Sequence, residues 1–168
     1  MRKPLILLAL LALVLPVTGT SGVEAGEGTL SVENARGKVT VQAKGAILGR
    51  IAVGSVIVYD LTPNDGHEPY VSGDDYVKLV GETGIQYGGR NVRFRLLGGS
   101  YRIVVKGTGI DLSVVANGIA VLEGDTSALG GAGVYSVDGV DCRTNGGAGC
   151  KPLPDKAKLI KLGSGDRG

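Results

Sequence analysis

Two groups of side chains in this 168-residue chain have types and spacing that could do chemistry. The first is acidic. Asp60, Asn64, Asp65, Glu68, Asp74 and Asp75 put oxygen ligands on one turn-rich stretch, and Ca²⁺ takes six to eight such ligands. Their order is not that of an EF-hand, which alternates acidic positions ahead of its glycine. Asx side chains in a loop of this kind also cap their own backbone turns, and a solvated, self-capping loop is the simpler expectation. If two of the carboxylates converged in a cleft, a carboxylate-type hydrolase would follow, with Asp74, Asp75 and Glu68 as its candidates.

The second group is basic. Arg90, Arg93, Arg95 and Arg102 flank Gly98-Gly99. Were that dipeptide a hairpin turn, Arg95 would face Arg102 across the strands, with Arg93 along the same face. Like charges so placed repel unless an anion or carboxylate relieves them. A polyanionic glycan or wall polymer is the ligand this stripe would take, and the chain's own acidic loop is the internal alternative.

Other chemistries find little to use. The chain holds one histidine, His67, in a polar stretch that suits a structural role. It has no nucleophile elbow, phosphate-binding glycine loop, CxxC or HExxH pattern. Cys142 and Cys150 are the only cysteines. In an exported chain such a pair is most simply a disulfide, and its short loop limits the entropic gain to about 2.5 kcal/mol. Single-stranded nucleic acid needs aromatic platforms beside its cations. Here the aromatics beside the arginines are Phe94 and Tyr101, both at inward positions of an alternating pattern.

The elements that must carry these residues are written twice. Residues 30–45 moved forward by 62 land on residues 92–107: Leu30, Val32, Val39, Val41 and Ala43 fall on Val92, Phe94, Tyr101, Ile103 and Val105. Past Thr108 the offset becomes 63, and Ile47, Ile51, Val56 and Val58 meet Ile110, Val114, Ile119 and Val121. Thirty glycines without a three-residue period, with β-branched alternation and no helical period, give an all-β chain of short strands and many turns. The expected fold is an antiparallel sandwich or barrel made from two four-stranded units, 30–60 and 92–123, each a meander of hairpins turning at residues 36–37, 54–55, 98–99 and 117–118. Residues 74–80 and 83–87 form a further expected hairpin, and 156–162 a final edge strand. A parallel β-solenoid is the alternative. The glycine-spaced aliphatic run 46–58, under a tenth of the chain, resembles polymer-forming solenoid proteins such as bactofilins, and that resemblance implies stacked rungs and self-association.

The N-terminus is set apart from this domain. Arg2-Lys3, an apolar run over residues 4–15 and small residues near Ala25 match a secretory signal peptide over 1–25; the run is short for a membrane span. The β-domain then covers 26–163 and a frayed tail 164–168. Without residues 1–25 the chain loses Arg2, Lys3 and Glu24, leaving 16 basic against 15 acidic side chains. That balance gives no general attraction to nucleic acid or anionic membrane. The functional expectation is an exported, non-enzymatic β-domain, periplasmic, wall-associated or extracellular. Its role would be structural or adhesive, through an envelope polymer or self-association, with no cofactor beyond a possible Ca²⁺.

Overall fold

The computed structural model describes residues 24–26, 28–127, 130–137 and 139–163. The expected leader, apart from its last residues, and the expected tail lie outside them. Eight strands are present: β1 (Glu24–Gly26), β2 (Thr29–Asp60), β3 (Tyr70–Ser72), β4 (Tyr76–Val80), β5 (Gly84–Gly124), β6 (Val134–Ser136), β7 (Lys151–Pro152) and β8 (Lys158–Leu162). Two of them are far longer than an ordinary strand of five or six residues: β2 has 32 residues and β5 has 41.

The pairing of β2 with β5 shows how such lengths fit one domain. Lys44 pairs with Ser100 on one side and with Asn117 on the other. Those two partners are seventeen positions apart on the same strand, roughly 55 Å if it ran straight. Both can touch Lys44 only if β5 coils once in that distance. The same holds along the strand: Val39 pairs with Val105 and Leu122, and Val41 with Ile103 and Ala120. β2 and β5 are therefore the two arms of one antiparallel hairpin, rolled up until it pairs with itself.

The roll is flattened into two layers. Residues 29–36, 46–53, 90–97 and 108–115 make the upper layer, extended by β3, β6 and β7. Residues 37–44, 54–60, 84–89, 100–107 and 117–124 make the lower layer, extended by β4, β8 and β1. Alternation turns every second side chain inward, and the two inner faces form one core. Val39, Val41, Ile47, Ile51, Ile103, Val105 and Ile110 are all completely buried. The sheet stays open at both ends and is a sandwich, not a closed barrel.

Glycine sets the corners. Gly124, Gly37, Gly107, Gly54 and Gly89 are in register across five neighbouring passes of the chain, along the line where the roll passes between layers. A Cβ on Gly54 would lie 2.2 Å from the carbonyl oxygen of Lys106, and one on Gly107 would lie 2.3 Å from that of Val53. Both have a positive φ, 152° and 156°, where side-chain-bearing residues are strained. The backbones cross so closely at this edge that no other residue fits. The opposite corner is built likewise around Gly45 and Gly118, with Gly98-Gly99 supplying one extra residue in β5 as both arms turn together.

Several expectations are corrected by this winding. The dipeptides expected to reverse the chain instead bend it from one layer to the other, so strands pair between the two copies and not within each. The parallel solenoid is excluded because β2 and β5 run antiparallel; among the described residues only β1 and β8 are parallel. Within the solenoid-like run 46–58, Gly54 is a corner, while Gly49 leaves room for the Phe94 ring. The hairpin between β4 and β5 forms as expected, through Gly81, Glu82 and Thr83. β8 is not the edge, since β1 pairs along its outer side.

Gly107→Ala should cost at least 2–3 kcal/mol in chemical denaturation, because it adds a backbone clash to an unfavourable φ. Gly66→Ala, where a Cβ meets nothing within 4 Å, should cost about 1 kcal/mol or less. Equal losses at the two sites would mean that the corner is not closely crossed.

Candidate functional site

A broad concavity lies on the outer face of the upper layer. It is a groove of about 860 Å³. Its floor is the outward set of side chains from three neighbouring passes: Asp111, Arg50 and Arg93 stand side by side in register, and Ser113 and Leu48 form the next row. One wall is a bulge in β2, where the register slips between Val32 and Ala35. Asn34 takes a positive φ of 47° there, as Asn tolerates better than most residues. The other wall carries Asp141 and Arg143.

Asp111 organises the floor. Its Oδ1 accepts the Asn34 backbone N–H at 2.9 Å, and its Oδ2 lies 3.3 Å from the Arg50 guanidinium. With Arg50 half exposed, this ion pair adds less than about 1 kcal/mol of stability; its effect is to fix where Arg50 points. Arg93, directly across from Arg50, has no carboxylate within ion-pair distance among the described residues. Asp111 thus pairs with Arg50 on one side, and Arg93 faces Arg50 on the other. Glu33, on the bulge, has its Oε2 atom buried with no hydrogen-bond partner.

The cysteines help hold the wall. Cys142 and Cys150 are disulfide-bonded, and the Cys142 backbone N–H donates to Ser31 Oγ at 3.0 Å. That bond ties the loop bearing Arg143 to the first pass of the roll.

Of the four arginines proposed from the sequence, the structure brings two together. Arg93 and Arg95 lie on this face, and Arg95 sits 5.7 Å from the centroid of the Tyr70 ring. Arg102 is on the lower layer, paired with Gln42 and Tyr59, so the expected opposition of Arg95 and Arg102 does not occur. The reason is the corner at Gly98-Gly99: the chain crosses to the other layer there without reversing. Arg90 is near a corner, its backbone N–H donating to Asp75 Oδ2 at 3.2 Å. Arg50, Arg143, Asp111 and Glu33 escaped the sequence reading. Arg50 and Leu48 do alternate outward between Ile47, Gly49 and Ile51, but only pairing between the copies sets Arg50 beside Arg93.

The acidic stretch is spent largely on its own backbone. Asp60 accepts the Thr62 N–H, and Asp65 accepts the Thr62 hydroxyl and the His67 N–H. The Thr62 hydroxyl bond, foremost, holds the exposed Asp65 carboxyl below the usual range. Asp75 holds the corner at Arg90, while Glu68 is exposed. No group of three or more His, Cys, Asp or Glu able to hold a metal ion occurs among the described residues. His67 is structural in this setting: its carbonyl accepts the Tyr101 hydroxyl, and its ring lies against Gly98.

No family model, curated protein or solved structure matches this chain. Fold and groove together define an open, two-layered antiparallel β-sandwich with a polar, arginine-bearing channel on one face.

Burial, and then the nearby Asp60 charge, raise the Tyr101 phenol above its ordinary value of 10.0. Burial, then Asp74, does the same for Tyr87. A raised phenol stays protonated in the native chain after the unfolded chain has begun to ionise. Its contribution to stability is therefore complete below pH 10 and declines as pH rises from there through the folded-state value. Urea denaturation at about pH 8 and about pH 11 should show this loss. Tyr101→Phe should reduce it, while costing about 1 kcal/mol at the lower pH for the missing hydrogen bond. An unchanged alkaline loss in that variant would assign the effect to other groups.

Proposed function

We propose that this chain is a non-enzymatic binding module of an exported, envelope-associated system, and that it holds a polyanionic polymer along the outer groove of its upper layer. The observation that carries this reading is the cross-strand juxtaposition of Arg50 and Arg93, with Asp111 paired to Arg50 alone and Arg93 without an ion-pair partner among the described residues. Like charges opposite one another destabilise a sheet, and an anionic group lying between them removes that cost. Guanidinium forks suit carboxylates and phosphates alike.

The rest of the groove fits the same ligand. Glu33, Asn34, Ser113 and Asp141 offer acceptors and donors of the kind that a hydroxyl-rich chain uses. Arg95 stacked on Tyr70 continues the basic line toward the end of the layer. An open groove on a rigid sheet receives a long, repeating ligand better than an enclosed pocket would. The disulfide supports export.

Retention on an acidic polysaccharide such as alginate tests the proposal. The chain should bind in low salt and be released as salt is raised. The double variant Arg50→Glu, Arg93→Glu should weaken binding at least about tenfold, equivalent to roughly 1.4 kcal/mol, with the double variant Lys78→Glu, Lys156→Glu as the charge-matched control. Undiminished retention of the double variant would remove the groove from consideration.

A further inference from the structure

The outer face of the lower layer is a second, chemically different surface. Strand register sets its side chains in rows across neighbouring passes. The central row runs Leu159, Val121, Thr40, Val104, Ile57: four aliphatic side chains and one threonine, all facing away from the core. The row on the glycine-corner side holds Glu123, Lys38, Lys106 and Ser55. The row on the other side holds Lys161, Ile119, Gln42, Arg102 and Tyr59. Lys44 and Lys78 lie farther out.

An aliphatic strip is thus bracketed by cations. Lys38, Lys44, Lys78, Arg102, Lys106 and Lys161 share this face with one carboxylate, Glu123. Among the described residues none of the six has a carboxylate within ion-pair distance. Lys38 stands directly opposite Lys106 on one side and Glu123 on the other, with Asp125 lining the same recess beyond the corner. The whole chain has a formal charge of +2, so a face carrying six cations and one carboxylate concentrates positive charge that the remainder lacks.

We propose that this face docks on an anionic lipid bilayer. Both halves of its chemistry are needed for that surface. The aliphatic row would enter the boundary between headgroups and acyl chains, where burial of apolar area adds to electrostatic attraction. The flanking lysines would reach headgroup phosphates on their flexible stems. A hydroxylated polymer has no use for the aliphatic row, and a second copy would set one cationic face against another. The groove on the upper layer then points away from the membrane, toward whatever polymer lies beyond it.

Co-sedimentation of the full chain with phosphatidylcholine vesicles, with and without phosphatidylglycerol, tests this. Binding should require phosphatidylglycerol and weaken with salt. The triple variant Lys38→Glu, Lys106→Glu, Lys161→Glu should lose affinity for anionic vesicles on the order of a hundredfold. The upper-layer triple variant Arg93→Glu, Arg95→Glu, Arg143→Glu should lose far less. The milder triple Lys38→Gln, Lys106→Gln, Lys161→Gln should fall between wild type and the Glu triple, so a folding defect in one variant does not decide the result. Equal binding to neutral vesicles would overturn the proposal by assigning attachment to the apolar run at residues 4–15. Equal losses in the two Glu triples, or a lower-layer triple that loses alginate retention and leaves vesicle binding intact, would also overturn it. Because the vesicle and alginate arms are read separately, either face can fail without the other.

Discussion

The constraint on which the rest of this molecule depends is the close crossing of backbones along one edge of the roll. Five passes turn the same corner in register, and the approach of each to the next leaves no space for a Cβ. Glycine there lets two very long strands fold flat into two layers without breaking their ladder of hydrogen bonds. Were the corners wider, the layers would splay and the aliphatic inner faces would no longer meet. The corner glycines Gly37, Gly45, Gly54, Gly89, Gly107, Gly118 and Gly124 are explained by this geometry.

Continuous strands have a second effect. Since a pass in the upper layer becomes a pass in the lower layer within one or two residues, the outward faces are separate surfaces supported by the same rigid ladder. The upper face gathers arginines with carboxylates nearby in a groove. The lower face gathers lysines around aliphatic side chains. A module with one surface suited to a polar polymer and another suited to an amphipathic boundary would bridge two phases of a cell envelope, and no moving part is needed for it.

Composition and alternation made the all-β class legible, and the 62–63-residue offset matched inward positions as far as Ile51 and Val114, with Val39, Tyr101, Val41 and Ile103 all fully buried. It failed beyond them, where Val56 and Val58 are buried but Ile119 and Val121 face outward. The disulfide and the β4–β5 hairpin were also legible, because each depends on residues close in sequence. The winding was not. Asn-Gly, Gly-Ser and Gly-Gly dipeptides favour tight reversals in isolation, and nothing local tells a reversal from a bend between layers. That distinction rests on whether Leu30 pairs with Ala43 or with Val114, a contact between distant parts of the chain. Misplacing the turn at Gly98-Gly99 moved Arg102 onto the wrong face and hid Arg50 from its neighbour Arg93. The acidic stretch was easier, since its hydrogen bonds span only a few residues.

β5 is the common partner of β2, β3, β4 and β8. Leu30 finds its first ladder partner at Val114, eighty-four positions later. As the chain leaves the ribosome, residues 46–59 can pair with 84–97, but the first pass, 29–36, has no ladder partner in β5 until 108–115 have been synthesised. Folding waits on late contacts between remote segments, the regime in which domains fold slowly. Until those contacts form, the first pass presents an unpaired strand edge, the kind of surface that pairs with other chains.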